Sequence, residues 1–194
     1  MRIRRLAVLS MVLVPALVAW GKKPLTDVAL VWKPTETLTS TGGVAPTRIE
    51  FTQLGDPADQ PKLIAENRED KEPKPVTTKD DVGGFVTSQA RRIFTESGWT
   101  TVDQGGDVVL SGEVRRFFVE ETDTYKGSVV LHIVARSRSG RVLWDGVVSG
   151  AASTFGRSYS MENYSEVLSD SLLRAVSSLI DNADFHKALM QPGG

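Results

Sequence analysis

Few residues in this chain could do chemistry, and they are scattered. Its two histidines, His132 and His186, stand far apart, and no helical or strand spacing brings two metal ligands together. Cysteine is absent, which removes disulfides, thiol nucleophiles and thiolate metal sites at once. The glycine-x-serine-x-glycine elbow of serine hydrolases does not occur. Glu120, Glu121 and Asp123 gather at a strand end, where paired carboxylates could do acid–base work or hold calcium. Adjacent carboxylates in a turn are ordinarily just solvated, and no loop of alternating oxygen ligands follows. The double glycines at Gly42, Gly83 and Gly105 lack the lysine and spacing of a phosphate loop.

A basic group is the more suggestive one. Arg115-Arg116 interrupts the apolar alternation of its strand, which indicates a bulge, an edge or a basic patch on the exposed face. Arg136, Arg138 and Arg141 follow in the next hairpin. Gathered on one surface, these guanidinium groups would suit the phosphate or carboxylate groups of a lipid or glycan, because their planar forks match such anions. The alternative is five solvent-facing positions on a one-sided sheet. Tyr125, Trp144 and Phe155 could anchor an interface, although aromatics in alternating strands are more often core. His132 shares a strand face with Val130 and Val134 and reads as a satisfied sheet histidine. Ser149-Gly150 marks a bulge or a close backbone approach.

The elements that must position these residues centre on Asp107–Thr154. Val129, Leu131, Ile133 and Ala135 alternate before Ser139-Gly140, and Val142, Trp144, Gly146 and Val148 alternate after it, which is a hairpin signal. Val108 to Val119 supplies a third strand, with Asp123 and Gly127 marking its return, so an antiparallel meander is expected. Two amphipathic helices are available to cover one face. The first begins near Thr78 with Asp81 completing a capping box, carries Val82, Phe85, Val86, Ala90, Ile93 and Phe94 on one side, and stops at Gly98. Gly83-Gly84 conflicts with its start, so either the regular helix begins after them or they allow close packing on the sheet. The second helix runs from about Ser160 to Asp181, with Glu162, Glu166, Ser169, Asp170 and Ser177 outside its apolar stripe. Asp184 is a candidate cap for a final turn through Phe185 and Leu189.

Ahead of the meander, Val28 to Trp32 reads as a strand covered on both faces. Ile49 and Phe51 suggest a weaker arm, partnered by Leu63-Ile64-Ala65, and the charged, proline-bearing stretch beyond it reads as an exposed loop.

A chain of 194 residues supports one domain with a real core. The net charge of -1 and pI near 6.2 carry no nucleic-acid footprint. Arg2, Arg4 and Arg5 precede an apolar run from Leu6 to Trp20, and the small residues Ala19 and Gly21 stand at its end, the layout of a secretory signal. The run is shorter than the roughly 20 apolar residues a spanning helix needs. Cleavage near Ala19–Gly21 is therefore expected, with retention as an anchor the alternative.

The order of strand, insertion, helix ending at Gly98-Trp99, meander and C-terminal helix resembles the YajG-type lipoproteins of the Gram-negative envelope. The detail lies in Val76–Gly98, in Asp107–Phe155 and in Asn163, Val167-Leu168, Asp170 and Val176–Phe185. The resemblance implies a small α+β domain similar to envelope accessory lipoproteins, including auxiliary subunits of lipid-transport systems, and it supplies no functional residues. A lipoprotein needs a cysteine after its signal; Gly21 occupies that neighbourhood, so the resemblance stops short of lipid attachment.

The expected architecture is α+β, a sheet built on a three-strand meander and packed against two helices. It comprises a signal over 1–21, one domain over 22–181 with a flexible charged loop about 54–78, and a tail over 182–194. The expected function is that of an exported, non-enzymatic accessory or assembly protein of the periplasm, working through contacts with envelope proteins and without a cofactor, metal or nucleic acid. The alternative is a binding module holding a lipid or glycan between helix and sheet.

Overall fold

Period-two alternation and 3.6-residue alternation divide this chain between them. The computed structural model describes residues 24–37, 47–57 and 59–190, so the expected signal over 1–21 lies outside the described residues. In chain order the elements are β1 (Arg48–Phe51), β2 (Leu63–Asn67), β3 (Lys74–Thr77), α1 (Val82–Glu96), β4 (Thr100–Val102), β5 (Val108–Glu121), β6 (Tyr125–Ser137), β7 (Val142–Thr154), α2 (Met161–Ile180) and α3 (Ala183–Leu189). The fold is α+β, a mixed sheet of seven strands with helices packed against it.

The meander forms as its alternation dictates. β5 and β6 pair antiparallel from Val108↔Ser137 to Glu121↔Tyr125, and β6 and β7 pair from Arg136↔Val142 to Tyr125↔Thr154. Val129, Leu131, Ile133 and Ala135 are all buried on the helix side. Gly140 takes φ +87° in the β6–β7 turn. The β5–β6 return is tighter than expected: the Thr122 amide donates to the Thr124 carbonyl at 3.0 Å, and Gly127 lies inside β6.

The other flank of β5 departs from the sequence reading. β1 and the Leu63–Ala65 arm do not pair with each other. Each runs parallel to β5, β1 against Val108–Leu110 and β2 against Val119–Glu121, because β5 is long enough to offer both a separate partner stretch. β4 adds outside β1 in parallel, and β3 adds outside β2 in antiparallel. The expected loop over 54–78 is thus crossed by two strands, fixed by Ile64 and Val76, which are 1% and 0% exposed. Pro75 is tolerated because β3 is the outermost strand on its side.

Val28–Trp32 is not a strand of this sheet. Val28 N–H donates to the Thr77 carbonyl of β3 at 2.8 Å, and further along the amides find side chains: Leu30 N–H donates to Asp80 Oδ2 at 2.8 Å, Lys33 N–H to Ser169 Oγ at 2.9 Å and Thr35 N–H to Asp170 Oδ1 at 2.8 Å. The segment is a strap lying across α2. Ser169 and Asp170, expected outside the helix stripe, are consequently 1% and 6% exposed.

The helices follow their patterns with local corrections. Asp81 is itself the N-cap of α1, accepting from Gly84 N–H at 2.9 Å, while the Thr78 hydroxyl donates to Val28 O at 2.5 Å. Gly83 lies within the helix because a Cβ there would strike the Leu54 carbonyl, so the close-packing alternative holds. At the other end Gly98 takes φ +87°, and Trp99 N–H and Gly98 N–H donate to Phe94 O and Thr95 O, the paired bonds of a Schellman stop. α2 lies over β6 and β7, its backbone so near Gly150 that a Cβ would meet the Ser171 carbonyl and the Ala175 amide nitrogen. Within the expected tail, Ala183–Leu189 forms α3: Asn182, rather than Asp184, caps it through Phe185 N–H at 2.9 Å, and Phe185 and Leu189 are fully buried. Phe185 stands edge-on to Phe94 and Trp144 at 6.2 and 5.4 Å. No described helix is long and apolar enough to cross a membrane.

Candidate binding cleft

Two arginines in the middle of an alternating strand cannot both continue the pattern, and the register shifts there. β5 pairs Val114 with Leu131 and then Arg116 with Val130, leaving Arg115 as the extra residue of a bulge. On its opposite flank, Gly55 bridges Glu113 and accepts from Val114 N–H at 2.9 Å, and the next strand contact is Ala65 against Val119. The pairing of this flank of β5 with described strands is interrupted over this interval. The interruption leaves an open cleft of about 490 Å³ floored by the bulge, with Gln60 and Leu63 on the facing wall.

The cleft gathers Arg115 and Arg116 with Arg68, which sequence reasoning missed. Arg115 Nε donates to Glu113 Oε1 at 3.0 Å, and Arg68 Nη2 lies 2.9 Å from Glu66 Oε2, with Glu120 at 3.5 Å from its other nitrogen. Arg116 differs: its guanidinium carbon sits 4.9 Å above the Phe118 ring, and no carboxylate among the described residues is within ion-pair distance. A bulge was one of three readings the arginine pair allowed, and the register decides for it; the cleft was not legible, because it depends on where β1 and β2 dock.

The other expected arginines do not join this group. Arg136 pairs with Val109, about 20 Å along the sheet from the Arg116↔Val130 pair at about 3.4 Å per residue. Arg136 Nη1 donates to Gly140 O at 3.3 Å, Arg138 Nη2 to Gly105 O at 2.7 Å, and Arg141 lines a separate depression with Asp184 and Lys187. The five therefore form two groups at different places on the sheet rather than one basic surface.

His132 is satisfied on the sheet face turned away from the helices. Its Nε2 is hydrogen-bonded to Asp145 at 2.7 Å, with Glu113 at 3.8 Å from Nδ1. Around it that face is apolar in part: Val109, Phe118, Val130 and Val134 are half-buried and Val147 is 51% exposed. His186 stacks on Trp99 at 5.2 Å. Of the three aromatics, Tyr125 is core and Trp144 is half-buried, whereas Phe155 is 82% exposed and does not follow the core reading. Where α1 and α2 meet the sheet, the space around Phe85, Phe117 and Leu168 amounts to about 10 Å³.

The acidic group resolves unexpectedly. Glu121 is fully buried rather than solvated, accepting from the Tyr164 hydroxyl and from Tyr159 N–H at 2.7 Å. Burial pushes its carboxyl up, but Tyr164, the Tyr159 amide, Asn67 and Tyr125 together hold it below the usual carboxylate range. Burial, followed by the hydrogen bond to Glu121 and then its charge, raises the Tyr164 hydroxyl. This is a clasp joining the end of β5 to the start of α2, closed to any ligand. Among the described residues no group of three or more acidic, histidine or cysteine side chains is placed to hold a metal ion.

Comparison with known proteins bears on the fold. No protein-family model and no curated protein matches the sequence. Among solved structures, a DUF330-family protein from Xanthomonas campestris is similar at TM-score 0.55 and 13% identity, covering 86% of this chain and 94% of that one. A PelC dodecamer subunit from Paraburkholderia phytofirmans follows at TM-score 0.44 and 16% identity, covering 74% and 96%. A candidate lipoprotein from Caulobacter crescentus stands at 0.41 and 10%, covering 67% and 92%. The chain shares the overall fold of the Xanthomonas protein.

Proposed function

We infer that the protein is an exported, non-enzymatic accessory protein of the cell envelope, kin to the YajG-type proteins, that works by holding protein partners. The observation that carries this reading is the one-sided sheet. Helices cover one face of the meander, while on the other Val147 is exposed and Val109, Phe118, Val130 and Val134 are half-buried. Apolar side chains left open among polar ones on such a face are where a protein partner would dock. The basic, apolar and small-residue order of the first 21 positions supports the address. Cross-linking in intact cells through a photoreactive residue at position 147 tests the reading. A discrete adduct with another envelope protein is expected; its absence, with lipid recovered instead, would overturn it.

A second reading has one observation in its favour. The cleft of about 490 Å³ falls within the size range of small-ligand sites, so a lipid headgroup or glycan could occupy it in place of a protein segment. Mass spectrometry of the natively purified protein separates the two, because only this reading expects a bound small molecule.

A further inference from the structure

We propose that the cleft beside the β5 bulge receives a short extended peptide segment with a free carboxylate, its backbone adding to the open flank of β5 and its carboxylate resting on Arg116. The proposal rests on the reading of the protein as one that works through protein contacts, and it names the kind of contact.

Three observations meet here. The first is an interruption in the sheet: β1 and Gly55 accompany β5 as far as Val114, β2 accompanies it from Val119, and among the described residues no strand runs beside Arg115–Phe118. No backbone group of the neighbouring described loop residues hydrogen-bonds to that interval. Backbone edges left without a ladder are a template for an added strand. The second is size. The interval spans about 13 Å at about 3.3 Å per residue, long enough for a few extended residues. The cleft of about 490 Å³ has room for their side chains.

The third is charge. The carboxylates of Glu66 and Glu113 are matched by Arg68 and Arg115, whereas Arg116 has no acidic partner among the described residues. Its place over the Phe118 ring holds the guanidinium plane, leaving its fork free to take a carboxylate through two parallel bonds. A lipid phosphate would meet the same fork. Acyl chains would then lie among Asp59, Glu66, Glu113 and Glu120, which does not favour them, and they could not use the backbone edge. A peptide uses both.

The probe is the tripeptide Ala-Val-Ala, with a free carboxylate or amidated, titrated into the isotope-labelled protein and read by amide chemical shifts. Shifts confined to residues 113–120 and 59–66 are expected, with affinity falling at least about tenfold on amidation or in Arg116→Ala. Arg116→Lys, which keeps the charge and loses the fork, should recover part of that loss. No shifts, shifts elsewhere, equal binding of the amidated peptide, or displacement by equimolar inorganic phosphate would each overturn the proposal. If the position-147 adduct persists while the tripeptide fails, the cleft assignment falls and the wider reading stands. Tripeptide binding without any adduct would do the reverse.

Discussion

The Tyr164 hydroxyl donates to the buried carboxylate of Glu121, joining the first turns of α2 to the last residue of β5. Tyr164→Phe keeps the ring and removes this donor, leaving a buried carboxylate one hydrogen bond short. A loss of about 1–3 kcal/mol is expected. Urea unfolding should show a lower midpoint with an unchanged slope.

The same carboxylate sets a pH dependence. Because the folded protein holds Glu121 below its ordinary value, its contribution is fully present above the unfolded value of about 4.3 and is lost as pH falls through the folded value. Thermal melts from pH 6 down to about pH 3 should show stability declining over that window. In Glu121→Gln that part of the decline should disappear, with lower stability at pH 6. An unchanged acid limb would assign the decline to other carboxylates.

Asp170 holds the strap, accepting from Thr35 N–H, the Thr35 hydroxyl at 2.6 Å and Glu36 N–H at 3.2 Å. In Asp170→Ala, the amides of residues 30–36 should exchange hydrogen faster than in the parent while those of β6 keep their protection. Equal acceleration in both would mean that the strap is part of the global unfolding unit.

Gly150→Ala places a methyl group against the α2 backbone at Ser171 and Ala175. Backbone cannot rotate away as a side chain can, so about 1–3 kcal/mol of destabilisation is expected. Differential scanning calorimetry should record a lower Tm. Gly127→Ala, which meets Val167 and Ser171, should behave alike.

Arg116→Ala should change stability by no more than about 0.5 kcal/mol, since the guanidinium is exposed and unpaired. A larger loss in chemical denaturation would make Arg116 a structural residue of the bulge.

What the sequence disclosed follows from how local each signal is. The meander and α2 were legible because their periodicities extend over whole elements, and the Gly98 stop because one residue type carries it. β3 was not: it is four residues long, contains Pro75, and fully buries only Val76. The parallel docking of β1 and β2 on β5 depends on a remote strand, which no local pattern encodes. For the same reason Glu121 looked solvated, since Tyr164 lies 43 positions further on. At the site, Arg115-Arg116 signalled a break in the alternation, but choosing a bulge over an edge, and separating this pair from Arg136, Arg138 and Arg141, needed the register.

The strap has a bearing on the order in which the molecule can be made. Residues 30–35 emerge among the first of the chain, yet the side chains that hold them, Ser169 and Asp170, come more than a hundred positions later. A nascent chain therefore cannot lock its beginning until nearly all of it has been synthesised. Such late closure leaves residues 30–35 without their anchoring partners through most of translation.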